Sequence, residues 1–312
     1  MAKHRIGIVG LGKITEDQHV PVIRKNGAFD LVAVASQRGL TVEGAEHAFR
    51  DWQDLIAKTP GLDAVVICTP PQARAAIAFA ALEAGKHVML EKPPAATVSE
   101  LAALRVTAEN SGLTLFTTWH SQYNEAVLEA RRRLAGKRVV SLRIDWKEDV
   151  RHWHPGQQWI WAPGGFGVFD PGINALSIVT RIMPAPVFVA SADLFFPENR
   201  ATPIAANIRF ASNLAEVDWN AEFDWRQTGE QTWDIHIETG EGERLVLRKG
   251  GSRLEVDGRL AVEAKPQEYE MIYQRFAALL DSRTSDIHED PLRLVADAFM
   301  VGRRIAVEPF ID

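Results

Sequence analysis

The sequence predicts an α/β protein: an N-terminal doubly wound parallel sheet, followed by a C-terminal α+β domain with a large, mainly antiparallel sheet. Three observations lead there. First, short β-branched runs at Ile6–Val9, Leu31–Ala35, Ala64–Cys68, His87–Leu90 and Leu113–Thr117 alternate with helical stretches such as Gln72–Ala84 and Ser99–Asn110. That alternation is the signature of successive βαβ units. Second, strand-like runs at Val139–Lys147, Val187–Phe196, Ile204–Phe210, Ala215–Trp225, Thr232–Glu238, Arg244–Arg248 and Arg253–Val256 are punctuated by Gly, Asn and Asp turns, as in an antiparallel sheet. Third, 312 residues suffice for two domains with a substantial core, divided as 1–121 and 122–312.

Composition narrows the class. An apolar fraction of 46% and a charged fraction of 24% are those of an ordinary globular protein. The formal charge of −6 with no long run of one sign argues against nucleic acid as a partner. Cys68, the single cysteine, lies in an apolar run and is expected to be a small buried thiol in a reducing compartment. A strand begins almost at once, which leaves no room for a leader, and no apolar stretch has the ~18 residues of a membrane helix. These features predict a cytoplasmic protein with no membrane partner.

The individual elements carry further signals. Thr97-Val-Ser-Glu100 is a capping-box pattern that starts the helix over 99–110. After the first strand, Gly10-Leu-Gly12-Lys13-Ile14-Thr15 is a dinucleotide turn G-x-G-x-x-G with Thr15 in place of the third glycine. Gly10 permits the turn, and Gly12 lets the amides around Lys13 and Ile14 approach a pyrophosphate. The second strand ends in Ser36-Gln37-Arg38, where an NAD site normally places a carboxylate for the ribose 2′-hydroxyl. Small donors and a cation suit a 2′-phosphate instead, so NADP is the expected cofactor, with NAD tolerated; the bland alternative is a solvated loop arginine. Thr69 and Pro70, at the end of the third run, are expected to line the cofactor ribose. His19 reads as a packing histidine.

Leu90-Glu91-Lys92-Pro93-Pro94 runs a strand into a charged pair and two prolines, which end the ladder. In an open α/β sheet this edge is where ligands bind, so Lys92, with Glu91 beside it, stands where a ligand would be met. Taken alone, the pair could equally be an exposed ion pair of little energetic consequence.

From Thr117 the pattern changes. Eight of the nine tryptophans fall between Trp119 and Trp233. Aromatic faces suit the C–H faces of sugar rings, and carboxylates and imidazoles suit their hydroxyls. Trp146, Trp159 and Trp161 are expected to pack internally, and Trp153 to present a face. His152-x-His154 with Glu148 and His120 has too few closely spaced ligands for a metal site. Asp170-Pro171 reads as an N-cap with proline at the first helical position, and Asp170 and Asn174 share a helix face. Helices at Glu125–Arg133, Gln267–Ser282 and Pro291–Ala306 complete the reading.

With its G-x-G turn, its Glu91-Lys92-Pro93 and its D-x-x-x-[HN] helix start, the chain resembles the glucose–fructose oxidoreductase/inositol dehydrogenase (Gfo/Idh/MocA) family over nearly its whole length. Thr118-Trp-His120, Trp146-Lys-Glu148-Asp, His154-Pro-Gly-Gln-Gln-Trp-Ile-Trp161 and Phe169-Asp-Pro-Gly-Ile-Asn-Ala-Leu-Ser177 are similar to its bacterial L-arabinose/D-galactose 1-dehydrogenases. The resemblance implies a Rossmann domain, and oxidation of an aldopyranose at C1 to the aldonolactone by NAD(P). It places Lys92 and Asn174 at the reacting hydroxyl, and His120, Glu148, Trp153 and Trp233 around the sugar. It also implies a cis Lys92–Pro93 bond and a homodimer or tetramer. Where the wider family has histidine this chain has Asn174, and an amide cannot accept the proton at neutral pH. The base is then Lys92, with Asp170 orienting the pair or relaying the proton. A cyclitol dehydrogenase and a non-catalytic nucleotide sensor are the competing readings.

Overall fold

The structure, a computed structural model, describes residues 3–213 and 216–311. The chain forms two compact units, one of Met1–Trp119 with Tyr269–Glu289, the other of His120–Glu268 with Asp290–Asp312. The chain crosses from the first unit to the second after Trp119 and returns to the first over Tyr269–Glu289.

In the first unit β1 (His4–Val9), β2 (Phe29–Ala35), β3 (His47–Phe49), β4 (Ala64–Ile67), β5 (His87–Leu90) and β6 (Leu115–Thr117) form one parallel sheet in the order β3-β2-β1-β4-β5-β6. The helices α1 (Val20–Lys25), α2 (Trp52–Lys58), α3 (Pro71–Glu83) and α4 (Val98–Ser111) connect them. The order reverses at β1, and the G-x-G turn leaves that strand. Its strand β4 is wholly apolar and buried, and β5 is so from Val88 onward, as parallel strands covered on both faces must be. The capping box of α4 is present: Glu100 N donates to Thr97 Oγ1 at 3.2 Å and Thr97 N to Glu100 Oε2 at 3.0 Å.

In the second unit α5 (Glu125–Leu134), α6 (Val150–Trp153) and α7 (Phe169–Ile182) accompany a nine-stranded sheet. Its strands are β7 (Val139–Lys147), β8 (Phe188–Pro197), β9 (Ala205–Ala211), β10 (Asp218–Asp224), β11 (Thr232–Thr239), β12 (Arg244–Arg248), β13 (Arg253–Val256), β14 (Arg259–Glu263) and β15 (Arg303–Val307). The order is β14-β13-β12-β11-β7-β10-β9-β8-β15, antiparallel except at β10–β7 and β15–β8. Ala215, the expected start of the β10 run, lies outside the described residues.

The return segment is α8 (Glu268–Ser282). Its Phe276 stacks at 5.8 Å on Phe29 and 6.0 Å on Phe116, inside the first unit. Burying one such ring contributes ~2–3 kcal/mol. The last helix, α9 (Asp290–Val301), is shorter than the expected Pro291–Ala306. It ends at Gly302, where a Cβ would lie 2.3 Å from Ala298 O and 3.0 Å from the Leu194 side chain, and residues 303–307 pair with β8 instead. Cys68 is only partly buried, contrary to expectation, because it sits beyond the last residue of β4. Among the described residues no helix is long and apolar enough to cross a membrane.

Candidate active site

The predicted nucleotide residues all lie on the first unit. Gly10 has φ +98°, and a Cβ there would come within 2.9 Å of the Cys68 carbonyl carbon and Thr69 N. Only glycine meets both demands. Gly12 has nothing within 4 Å of a Cβ, so the space above the turn is open. A helical run starts there, with Thr15 N and Glu16 N both donating to Gly12 O and a π-turn at Thr15–His19. Thr15, which replaces the third glycine, is buried and donates its hydroxyl to Gly10 O at 2.8 Å, tying the loop shut. Ile14 exposes its side chain, and Lys13 pairs with Asp17. Ser36 is buried after β2, Gln37 is exposed, and Arg38 Nη2 donates to Leu11 O at 2.6 Å, between the two glycines. Pro70 is exposed, and the buried Thr69 Oγ1 has no hydrogen-bond partner among the described residues. The open turn, the orphaned hydroxyl and the exposed isoleucine fit a bound dinucleotide.

Lys92 follows β5, half-buried, with its bond to Pro93 cis. Its backbone is held from beneath. Glu91 is 2% exposed; its Oε2 accepts from Lys92 N at 2.7 Å, and its Oε1 accepts from Tyr269 Oη at 2.7 Å. His19 Nε2 lies 3.1 Å from the same Oε1, and its Nδ1 lies 2.8 Å from Tyr273 Oη. Burial opposes charge on this imidazole, but Cys68, Tyr273 and Glu91 around it prevail and hold its pKa well above the ordinary value. Burial, with Glu91 adding to it, raises Tyr269 well above the usual phenol; burial pushes Tyr273 up to about 12. His19 thus packs as expected, but it also supports the Glu91–Lys92 turn, a role assigned from β5 to a residue 72 positions away that no local signal shows.

Arg74 was also invisible in the sequence. It is 5% exposed on the second turn of α3, donates through Nε to Thr69 O at 2.7 Å, and through Nη1 to Glu91 O and Pro93 O. One buried guanidinium therefore joins the loops after β4 and β5. Its one sequence signal is an arginine at a core-facing helix position among alanines and isoleucine.

The predicted sugar residues other than Lys92 lie on the second unit. Glu148, 5% exposed at the end of β7, accepts from Trp225 Nε1 at 3.1 Å on Oε1 and from Trp233 Nε1 at 2.9 Å on Oε2. Trp153 is 40% exposed and lies 5.5 Å from Trp233, ring to ring, so one member of a partly exposed indole pair is bonded to a fixed carboxylate. Trp146 and Trp161 are buried and Trp159 half-buried. His120 is half-buried, with Ser121 Oγ 3.5 Å from its Nδ1. His152 and His154 part company: the first meets Trp153 edge-on, the second puts Nε2 3.4 Å from Asp170 Oδ2. Asp170 is not the N-cap. The helix α7 starts at Phe169, so Asp170 lies inside it and Pro171 is its third residue, where a backbone N–H has no intrahelical acceptor to lose. Asn174 is the one residue from Phe169 to Val179 that is not buried, one turn beyond Asp170.

Residues 4–119 match the model of the Gfo/Idh/MocA group, described as an oxidoreductase family with an NAD-binding Rossmann fold. The galactose 1-dehydrogenase of Pseudomonas fluorescens is 48% identical over 308 residues, 99% of both chains. The chain belongs to the Gfo/Idh/MocA oxidoreductase family. Among solved Gfo/Idh/MocA-like structures, D-galactose-1-dehydrogenase from Rhizobium etli superposes with a TM-score of 0.93 at 52% identity, covering 100% of this chain and 99% of its own. A 3-ketoreductase from Actinomadura kijaniata, solved with NADP and TDP-benzene, shares the fold at a TM-score of 0.84 and 20% identity, covering 98% of this chain and 100% of its own.

Proposed function

We propose that this chain is an aldose 1-dehydrogenase, which oxidises C1 of a galactose-configured pyranose to the lactone with NADP as the preferred acceptor and NAD as a weaker one. The observation that carries the reading is the 48% identity to galactose 1-dehydrogenase across both units, including the sheet unit that holds Glu148, Trp153 and Trp233.

The nucleotide supplies the hydride acceptor when bound. Gly10, Gly12, Lys13, Ile14, Ser36, Gln37, Arg38, Thr69, Pro70 and Glu91 would hold it. Lys92 takes the proton of the C1 hydroxyl as the hydride leaves the carbon, so one hydroxyl becomes a carbonyl. Asn174 donates its amide N–H to the same oxygen, and Asp170 orients it or passes the proton on, with His154 at 3.4 Å as the next group along. Trp153 and Trp233 take the ring faces, and His120 and Glu148 the hydroxyls. Because Glu148 is already fixed by two indole N–H groups, it needs no reorganisation to receive a sugar.

L-Arabinopyranose and D-galactopyranose share their arrangement at C2, C3 and C4, so both are expected substrates. Glucose, the C4 epimer, leaves a buried polar group unpaired and is rejected. The test is incubation with NADP or NAD and a panel of galactose, arabinose, glucose and inositol, following reduced nicotinamide and lactone. Lactone from galactose is the expected result. Reduction with inositol alone would make the chain a cyclitol dehydrogenase, and none with any of them would make it a nucleotide sensor.

A further inference from the structure

We propose that Arg50 is a second guanidinium for the ribose 2′-phosphate, closing on it opposite Arg38; this rests on the NADP reading above. The strand β3 makes it possible. It pairs in parallel with β2, Ala35 opposite Phe49, so the residues after the two strands leave the same sheet edge side by side. Ser36 N donates to Phe49 O at 3.0 Å, and the turn Ser36–Gly39 closes with Gly39 N donating to Ser36 O at 2.7 Å. Arg50 lies along that turn: its Nη1 is 3.5 Å from Gln37 O, and its Nη2 is 3.2 Å from where a Cβ on Gly39 would stand. Arg38, within the turn, reaches the other way to Leu11 O at 2.6 Å.

Both guanidinium groups are on exposed residues, and among the described residues neither pairs with a carboxylate, although Asp51 follows Arg50 directly. The nearby Arg5 and Arg24 do pair, with Glu46 and Glu43. Two unneutralised cations brought to one four-residue turn repel each other. An anion accepted by both relieves that repulsion, and planar guanidinium forks match phosphate oxygens. A turn missing its carboxylate and flanked by two such forks fits a phosphomonoester on the adenosine ribose, at the nucleotide end already assigned to Ser36.

Binding decides this without turnover. The dissociation constants of 2′,5′-ADP, 5′-AMP, NADPH and NADH are measured calorimetrically for the natural chain, Arg50→Ala, Arg50→Lys and Arg38→Ala. Arg50→Ala should weaken 2′,5′-ADP and NADPH about tenfold or more while leaving 5′-AMP and NADH unchanged, the loss of one charge-assisted bond to phosphate. Arg50→Lys should recover part of it, and added salt should shrink the difference. Unchanged NADH binding also shows that the variant is folded. Equal weakening of all four ligands, or of none, overturns the role of Arg50 while leaving the NADP reading intact if Arg38→Ala is selective. A natural chain that binds 5′-AMP as tightly as 2′,5′-ADP overturns both.

Discussion

Lys92 is the residue proposed to take the proton, and the groups beneath it show how its backbone is held still. Glu91 fixes its amide, while Tyr269, His19 and Arg74 fix Glu91 or the backbone on either side. Replacing Lys92 with alanine removes the proposed base but none of these anchors. Turnover should fall by roughly 10²- to 10⁴-fold with NADP affinity retained, as single-turnover kinetics and a binding titration would show; a loss under tenfold would move the base to Asp170 or water. The buried cluster also makes stability depend on pH. His19 has a folded pKa above its ordinary ~6.5, so the native state keeps a proton that the unfolded chain releases. Its stabilisation is complete below about pH 6.5 and is lost as pH rises through the folded value. Tyr269 and Tyr273, both raised, act in the same direction above about pH 10. Urea midpoints taken across this range should fall as pH rises, and His19→Gln should flatten the first part of the decline.

At the scale of elements, the strands and helices with strong local signals formed where their sequences indicated. Thr97 and Glu100 cap α4 reciprocally, and Thr97→Ala should cost about 1 kcal/mol, read as a lower urea midpoint at unchanged slope. The run Val139–Lys147 is a strand to the residue. Shorter or edge elements were not legible. The three-residue strand His47–Phe49 carries no periodicity, β14 is mostly exposed, and the residues of β15 read as more of α9 although they follow the break at Gly302. The helix start at Phe169 is not legible locally, because proline tolerates any of the first-turn positions, and a buried aspartate inside that turn finds His154 across a loop. Of the candidate site, Gly10, Gly12 and the Glu91-Lys92-Pro93 turn were readable from local chemistry; Arg74 was not, because its three carbonyl partners come from segments that only the sheet brings together.

At the scale of the molecule, the nine-stranded sheet keeps one face open. Along β7, β9 and β10 the outward residues are polar, with Arg143 paired to Asp145 at 2.9 Å and Lys147 to Glu222 at 2.7 Å, while Leu142, Ile208 and Phe223 point inward. A second copy of the chain on that face is the expected assembly, and sedimentation should give a dimer or tetramer; a monomer across the concentrations used for assay would contradict it. The sequence alone determined the parallel strand–helix alternation, the nucleotide turn, the lysine after β5 and the aromatic region, because each depends on the conformation or chemistry of residues close together in the chain. Only the tertiary structure decided that Tyr269–Glu289 returns to the first unit, that His19 and Tyr269 converge on Glu91, and that Arg50 lies along the turn that carries Arg38. Those pairings are set by sheet order and by burial, which force distant polar groups to satisfy one another, and neither is written in any local run of residues.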